Sequence, residues 1–323
     1  MAKQGEHGIS WTEVTWNPIR GCSRVSEGCR ECYAEGVAAR FSGPGQPYEG
    51  LAKLVTVDRW KKGVGGVEER REPRWTGVVA FVDDHLYDPL RWQKPRRVFV
   101  NSMSDLFHEK VPNDWIDRIF AVMALAPKHT FQTLTKRAER MRDYCNELDT
   151  RRRIGIAMLD LIKEGEFNSD GITVPLEHRP DSTDEEPRFW SAWPLPNVWM
   201  GVSAENQETA DERVQLLLQT PAAVRWVSYE PALGPVDFTN LHPPNYTNAF
   251  GHSFGLPNLD WIVCGGESGP RARPMGVDWA IQAREQCHDA GVAFFMKQLG
   301  GWPNKRGELS DFPAALRVRE YPR

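Results

Sequence analysis

Short apolar runs rich in β-branched residues alternate with longer stretches of helical periodicity along most of the chain. Residues 78–82 and 98–100 read as strands, and the second opens into the polar loop Asn101-Ser102-Met103-Ser104-Asp105. Pro112 precedes residues 113–126, where Trp115, Ile116, Ile119, Phe120, Met123 and Ala124 fall on one helical face. Residues 130–134 form the next strand, followed by Lys136-Arg137 and a helix reaching about Glu147. Strand 198–202 runs into Ser203-Ala204-Glu205-Asn206 and a helix over 207–219, and strand 224–228 runs into Tyr229-Glu230-Pro231. Strand 261–264 leads into Gly265-Gly266-Glu267-Ser268-Gly269 with a helix over 278–290. A last strand, 293–296, ends at Lys297-Gln298.

This recurrence of strand, polar loop and helix is the sign of βαβ units and a parallel sheet. Six or seven such units predict an α/β fold, a full or partial (βα) TIM-like barrel rather than a doubly wound sheet. The whole chain, 1–323, reads as a single domain with insertions at about 42–77, 151–196 and 241–257. The first is rich in Gly, Pro and charge and predicts a long loop or small excursion. The second holds a short helical run over 154–163 and then a segment dense in Pro, acid and Trp. A structureless loop of that length is uncommon inside a compact domain, so it predicts a lid or a peripheral insertion. In either architecture catalytic groups belong at the carboxyl ends of the strands, where the polar residues just named fall.

Composition narrows the function classes. With 323 residues, 40% hydrophobic and 26% charged, the chain can bury a sizeable core. No apolar run reaches bilayer length and no positive-then-apolar leader opens the chain, so a cytoplasmic protein without a membrane partner is expected. A net charge of −4 gives no global attraction to nucleic acid. Arg70-Arg71, Arg96-Arg97 and Arg151-Arg152-Arg153 read as solvated loops and helix faces. Most of the tryptophans supply burial area. Trp190 and Trp193, in the second insertion, are the ones placed to stack a base.

Cysteine usage adds chemistry. Cys22, Cys29 and Cys32 are separated by six residues and then two, whereas Cys145, Cys264 and Cys287 are scattered through helix and strand contexts. Such a triplet argues for metal or redox use rather than a disulfide framework. Three thiolates on one loop suit a soft metal or an iron–sulfur cluster, and a four-iron cluster held by three cysteines keeps one iron open. Two alternatives stand beside it: a zinc site closed by a fourth ligand such as His7, and a redox dithiol of Cys29 and Cys32.

Further segments occur in order between about Trp11 and Gly301. They are Thr15-Trp16-Asn17-Pro18, the triplet with Tyr33-Ala34-Glu35, Leu134-Thr135-Lys136-Arg137 and Trp199-Met200-Gly201-Val202-Ser203-Ala204-Glu205. Glu230-Pro231-Ala232-Leu233-Gly234-Pro235-Val236-Asp237, Gly265-Gly266-Glu267-Ser268-Gly269 and Lys297-Gln298-Leu299-Gly300 complete the set. Together they resemble the phage-encoded, radical-SAM-like proteins with a three-cysteine motif. The common radical-SAM pattern has three residues in its first gap, and the six found here are typical of the phage family. Glu31 replaces the usual aromatic before the last cysteine, and Tyr33 follows Cys32 instead, so the adenine-contacting aromatic does not transfer directly.

The resemblance implies a partial barrel with a [4Fe-4S] cluster on Cys22, Cys29 and Cys32 at its open mouth. It also implies S-adenosyl-L-methionine on the open iron, an electron donor such as flavodoxin, and a 5′-deoxyadenosyl radical that abstracts hydrogen from the substrate. Tyr33, Ser102 and Asp105 are then candidates to touch the cofactor, although Ser and Asp after a strand also serve as turn or cap residues. Glu205, Glu230 and Glu267 each end a predicted strand and would converge on one rim. Lys297 would pair with one of them or meet a substrate anion. Lys136 and Arg137 would do either, or start a helix. The expected partner is a modified nucleobase in DNA or a nucleotide, in the host cytoplasm if the chain is phage-encoded. The expected activity is an isomerase of thymine hypermodification, converting an N-linked glycinyl-thymine to the C-linked form. Radical repair of a base lesion and a non-catalytic zinc- or cluster-stabilised binding protein remain the alternatives.

Overall fold

The computed structural model describes residues 9–60, 66–164, 193–241 and 256–323. In chain order the first elements are β1 (Val14–Trp16), β2 (Ile19–Arg20), α1 (Tyr33–Arg40), β3 (Ala52–Trp60), β4 (Val67–Trp75) and β5 (Ala80–Phe81). Next come the short helices α2 (Asp83–Leu86) and α3 (Asp88–Arg91), then β6 (Arg97–Val100), α4 (Asn113–Leu125), β7 (Thr130–Gln132), α5 (Ala138–Asn146) and α6 (Thr150–Glu164). The last are β8 (Val198–Ser203), α7 (Gln207–Leu218), β9 (Val224–Tyr229), β10 (Trp261–Gly265), α8 (Val277–Ala290) and β11 (Ala293–Gln298).

β1, β6, β7, β8, β9, β10 and β11 form one seven-stranded parallel sheet, and their order in space is their order in the chain. A sheet wound in one direction by right-handed crossovers puts its helices on one face. The sheet curls into a half-barrel, and β1 and β11 are not paired, so it stays open. The architecture is compatible with a partial TIM-like barrel, and a closed barrel is not formed.

The pleat sorts the strand residues onto two faces. Val98, Val100, Met200, Val202, Ile262 and Met296 share one buried cluster with Ile116, Phe120, Val214 and Ala283 of the helices. Their neighbours Phe99, Trp226, Trp261, Val263 and Phe295 form a second cluster with Trp11 on the opposite face. Because both faces are covered, the strands read as nearly continuous apolar runs. Gly201 lies opposite Trp226 in the register, and a Cβ there would overlap the indole ring.

Three expectations need correction. The strand expected over 78–82 is only Ala80–Phe81, and it pairs antiparallel with Ile19–Arg20 outside the main sheet. The first strand of the main sheet is β1, too short to show a pattern. Of the two alternatives for 42–77, the long loop gives way to the small excursion: β3 and β4 form a hairpin, in register from Ala52↔Trp75 to Trp60↔Val67. β4 is charged at most positions, and β3 carries Leu54 on one face and Val55 and Val57 on the other, so neither shows the alternation of a half-buried strand. Trp193 is no stacking platform: its ring lies 5.8 Å from Phe120 and its Nε1 donates to Cys145 O at 3.3 Å, which anchors it in the helical layer. Trp190, His7 and most of the second and third insertions lie outside the described residues. Among the described residues no helix is long and apolar enough to cross a membrane.

Gly201→Ala is expected to destabilise the chain by about 1–3 kcal/mol, because the aromatic layer has no room to yield. Urea unfolding measures this, and an unchanged midpoint contradicts the close approach of Trp226.

Candidate functional site

Residues 22–32 carry the three cysteines and have little backbone structure of their own. A single 3-10 turn, Glu27–Cys29, interrupts the loop, and α1 starts immediately after Cys32. Entry is through Gly21 at φ +93, where a side chain would overlap the Val78 carbonyl. The loop is instead fixed from outside, by charged groups that reach it from α1 and from the carboxyl ends of the strands.

Four such clasps converge on it. Buried Glu35 of α1 accepts from Arg24 Nε at 3.1 Å and from the Trp75 N–H at 2.8 Å, while Arg24 Nη2 donates to Arg30 O at 2.9 Å. Asp105, past β6, accepts from Arg137 Nη1 at 3.0 Å, and Arg137 Nη2 donates to Ser23 Oγ at 2.7 Å. Glu205, past β8, accepts from Lys136 Nζ, from Arg213 Nη1 at 3.1 Å and from Ser26 Oγ at 3.1 Å. Glu267, past β10, accepts from Arg273 Nη2 at 2.7 Å, and the same guanidinium donates to Glu27 O at 3.0 Å. A further pair, Arg271 Nε to Glu31 Oε2 at 2.5 Å, holds the residue before Cys32.

Behind the loop lies a cavity of about 400 Å³. Cys22, Cys29 and Cys32 all line it, as do Tyr33, Ser102, Asp105, Glu230, Glu267 and Lys297. Of the three strand-end glutamates, Glu205 does not. It lies beneath Gly28, where a Cβ would overlap its carboxylate, so its place is under the loop rather than on the cavity wall. Asp105 lines the cavity, yet Thr135 Oγ1, the N–H groups of Phe107 and Lys136, and Arg137 already engage its two oxygens. Its work is to hold Arg137, whose Nη1 also stands 3.9 Å from Cys22 Sγ. Tyr33 and Ser102 do come together: the phenol donates to Ser102 O at 3.0 Å, and Ser102 Oγ donates to Asn17 Oδ1 at 3.2 Å. Glu230 and Lys297 face each other across the wall, the ammonium 2.6 Å from both carboxylate oxygens.

None of the three cysteines is in a disulfide. Burial pushes the Cys22 and Cys32 thiols up. Neighbouring negative groups add to the rise at Cys22, against the opposing charge of Arg137. Among the described residues no three His, Cys, Asp or Glu side chains stand as ligands of a single metal ion.

Sequence reasoning passed over His108, Arg213 and Arg273. His108 is fully buried; its Nδ1 accepts from the Lys110 N–H at 3.1 Å, so its Nε2 carries the proton and donates to Ser23 Oγ at 2.9 Å. Burial pulls the His108 pKa down, which keeps the ring neutral. No spacing rule singles these residues out, since Arg213 reads as an exposed helix position and Arg273 as a loop charge.

The chain belongs to the family described as a protein of unknown function (DUF5131), whose model matches residues 6–319. No curated protein and no solved structure matches it.

Glu205→Gln removes the charge that Lys136 and Arg213 face. Breaking a buried pair of this kind costs about 3–5 kcal/mol, read as a loss of stability in urea at neutral pH. Burial alone would raise the Glu205 pKa, but Lys136 and Arg213 outweigh it and hold the carboxyl below its ordinary value. A depressed carboxylate contributes its stability above its unfolded pKa, about 4.3, and loses it as pH falls through the folded value. The gap between wild type and variant should therefore be constant near neutrality and close only below about pH 4. A gap that closes at higher pH contradicts the pairing.

Proposed function

We propose that the cavity behind the cysteine loop is the active site of a radical S-adenosylmethionine enzyme built on a partial TIM-like barrel. The observation that carries this reading is that three reduced thiols, drawn from one loop, line the same cavity at the carboxyl edge of a parallel sheet. As a donor set they suit a [4Fe-4S] cluster: they are soft, they number three, and a cluster spreads its thiolates more widely than one ion does. A guanidinium, that of Arg137, stands against one sulfur and offsets negative charge there.

Cys22, Cys29 and Cys32 would hold the cluster. When bound, it supplies one-electron reductive cleavage of S-adenosylmethionine, delivered by a donor such as flavodoxin, and with it hydrogen abstraction from a substrate. The protein's own residues do the rest. The ion-pair clasps fix the loop, so that the thiols keep their places while ligands enter and leave. The aromatic layer under the cavity and the loop above it exclude water, which a reactive radical requires. Tyr33 and Ser102 form one polar edge of the cavity and are the groups for the cofactor's nucleoside. Glu230 and Lys297 form another, where an ammonium or a carboxylate of a ligand can exchange with the internal pair. The size of the cavity is that of a small-molecule site.

The substrate that suits this chemistry is a modified nucleobase, in DNA or as a nucleotide. The reaction is isomerisation of a glycine joined to thymine through nitrogen into one joined through its α-carbon. Abstraction of the glycine α-hydrogen, beside nitrogen, would give a stabilised radical. The bond from the α-carbon to the thymine methylene would form as the methylene–nitrogen bond breaks, and the nitrogen left with the unpaired electron would take a hydrogen atom back from 5′-deoxyadenosine.

Anaerobic reconstitution with iron and sulfide should give a brown protein that forms 5′-deoxyadenosine from S-adenosylmethionine and dithionite. Cys29→Ala should abolish that product. Cys287→Ala should retain it, because Cys287 is buried in the helical layer. A colourless, zinc-loaded protein, or equal behaviour of the two variants, sinks the reading.

A further inference from the structure

One stretch of the cavity wall turns its charge toward the cavity instead of toward the cysteine loop. Glu230, past β9, and Lys297, in β11, stand on either side of β10, and their pair spans Gly265 of that strand. A Cβ on Gly265 would lie 3.3 Å from the Glu230 carboxyl carbon, so the missing side chain gives the pair its room. Both side chains line the cavity and keep open surface, 18% for Glu230 and 14% for Lys297. Lys297 Nζ reaches each oxygen of Glu230 at 2.6 Å. An ammonium carries three N–H donors, and the carboxylate takes two of them. Lys305 joins the same wall. After β11 the chain turns back, with the Leu299 N–H donating to Arg306 O at 3.0 Å and the Gly300 N–H to Lys305 O at 2.9 Å. Lys305 Cε and Lys297 O lie 3.5 and 3.8 Å from one point, the place a Cβ on Gly307 would occupy. The Lys305 stem therefore runs against the end of β11 that carries Lys297.

Elsewhere the charges of the lining are matched within the chain: Asp105 by Arg137, Glu267 by Arg273, Glu31 by Arg271 and Lys136 by Glu205. At the Glu230 stretch two ammonium groups accompany one carboxylate. Glu308 and Arg319 act on Lys305 with opposite signs, and neither lines the cavity. Burial, and then the charge of Lys297, pull the Lys305 pKa down, so the nearby carboxylates do not offset the crowding of positive charge. We propose that Lys297 and Lys305 form a carboxylate site, which takes the carboxylate of an amino-acid group carried by the substrate. Lys297 gives it the third N–H, Lys305 meets it from the neighbouring turn, and Glu230 keeps the Lys297 ammonium in place. A phosphate monoester suits the site less well, because it brings about two negative charges where the wall has one positive charge in excess. This inference rests on the proposed glycinyl-thymine substrate, whose glycine bears that carboxylate, and it uses none of the residues that would hold the cluster. Anchoring the carboxylate fixes the α-carbon beside it, which hydrogen abstraction at one position requires.

The test is equilibrium dialysis of the reconstituted full chain against three labelled probes: the N-linked glycinyl-thymine nucleoside, its glycinamide, and thymidine 5′-monophosphate. The first two differ only at the carboxylate, and the third carries a phosphate in its place. The wild type should bind the acid about tenfold or more tighter than the amide. Lys305→Gln should bring the acid down toward the amide and leave the affinity of the amide where it was. Lys297→Gln combined with Glu230→Gln removes both charges of the pair together and should likewise abolish the preference for the acid. Iron content and thermal midpoint of each variant establish that the fold and the loop survive. No binding of the acid, equal binding of acid and amide by the wild type, or a preference kept in Lys305→Gln or in the double variant would each overturn the assignment. Tighter binding of thymidine 5′-monophosphate than of the acid would overturn it in favour of a phosphate, and displacement of the acid by S-adenosylmethionine in favour of the cofactor. Failure to form 5′-deoxyadenosine while the acid preference stands would instead remove the radical reading and leave the carboxylate site.

Discussion

A loop without a hydrogen-bond ladder of its own must be held by something else, and here charge holds it. Asp105 and Glu267, past β6 and β10, each meet a guanidinium that also touches the cysteine loop, and Glu205, past β8, accepts from Ser26 of the loop itself. Buried ion pairs contribute little net stability once desolvation is counted, but removing one partner is costly. What they provide is position. Three of the four clasps come from residues that follow strands of the curled sheet and the fourth, Glu35, from α1, so the loop is tied to both. The pair Glu230–Lys297 differs from the rest: it faces the cavity and touches no residue of the loop. Charge is therefore placed in two ways along one rim: most pairs fix the loop, and the Glu230–Lys297 pair faces the cavity.

Sequence pattern carried the parallel sheet well, for a physical reason. Strands covered on both faces are apolar nearly throughout, and helices between them keep a clear 3.6-residue period, so α4, α7 and α8 were legible almost to their ends. Segments that failed were those whose stability comes from elsewhere. The β3–β4 hairpin forms a sheet of its own with no clean alternation of apolar and polar positions, and β1 is three residues paired with β6. Position at the carboxyl end of a strand found Glu205, Glu230 and Glu267 alike. It could not tell the one under the loop from those on the wall, because that depends on Gly28 leaving space for Glu205 and on Arg213 folding back from α7 to reach it. Arg213 is buried within a helix, and nothing in its local sequence separates it from a solvent-facing arginine.

The distribution of satisfied and unsatisfied groups divides the cavity further. On the rim, the carboxylates of Asp105, Glu205 and Glu267 are paired within the chain, while Arg213 Nε is buried without a partner. Beneath it, Asn101 Nδ2 and Trp11 Nε1 are buried without partners. Each costs its desolvation with no bond in return, as does Trp226 Nε1 in the same aromatic layer. The aromatic layer beneath them lowers the local dielectric, which strengthens any hydrogen bond made there and raises the penalty when it is not made. Asp105, Glu205 and Glu267 thus use their hydrogen bonds to hold the loop, and the aromatic layer beneath keeps donors that find none.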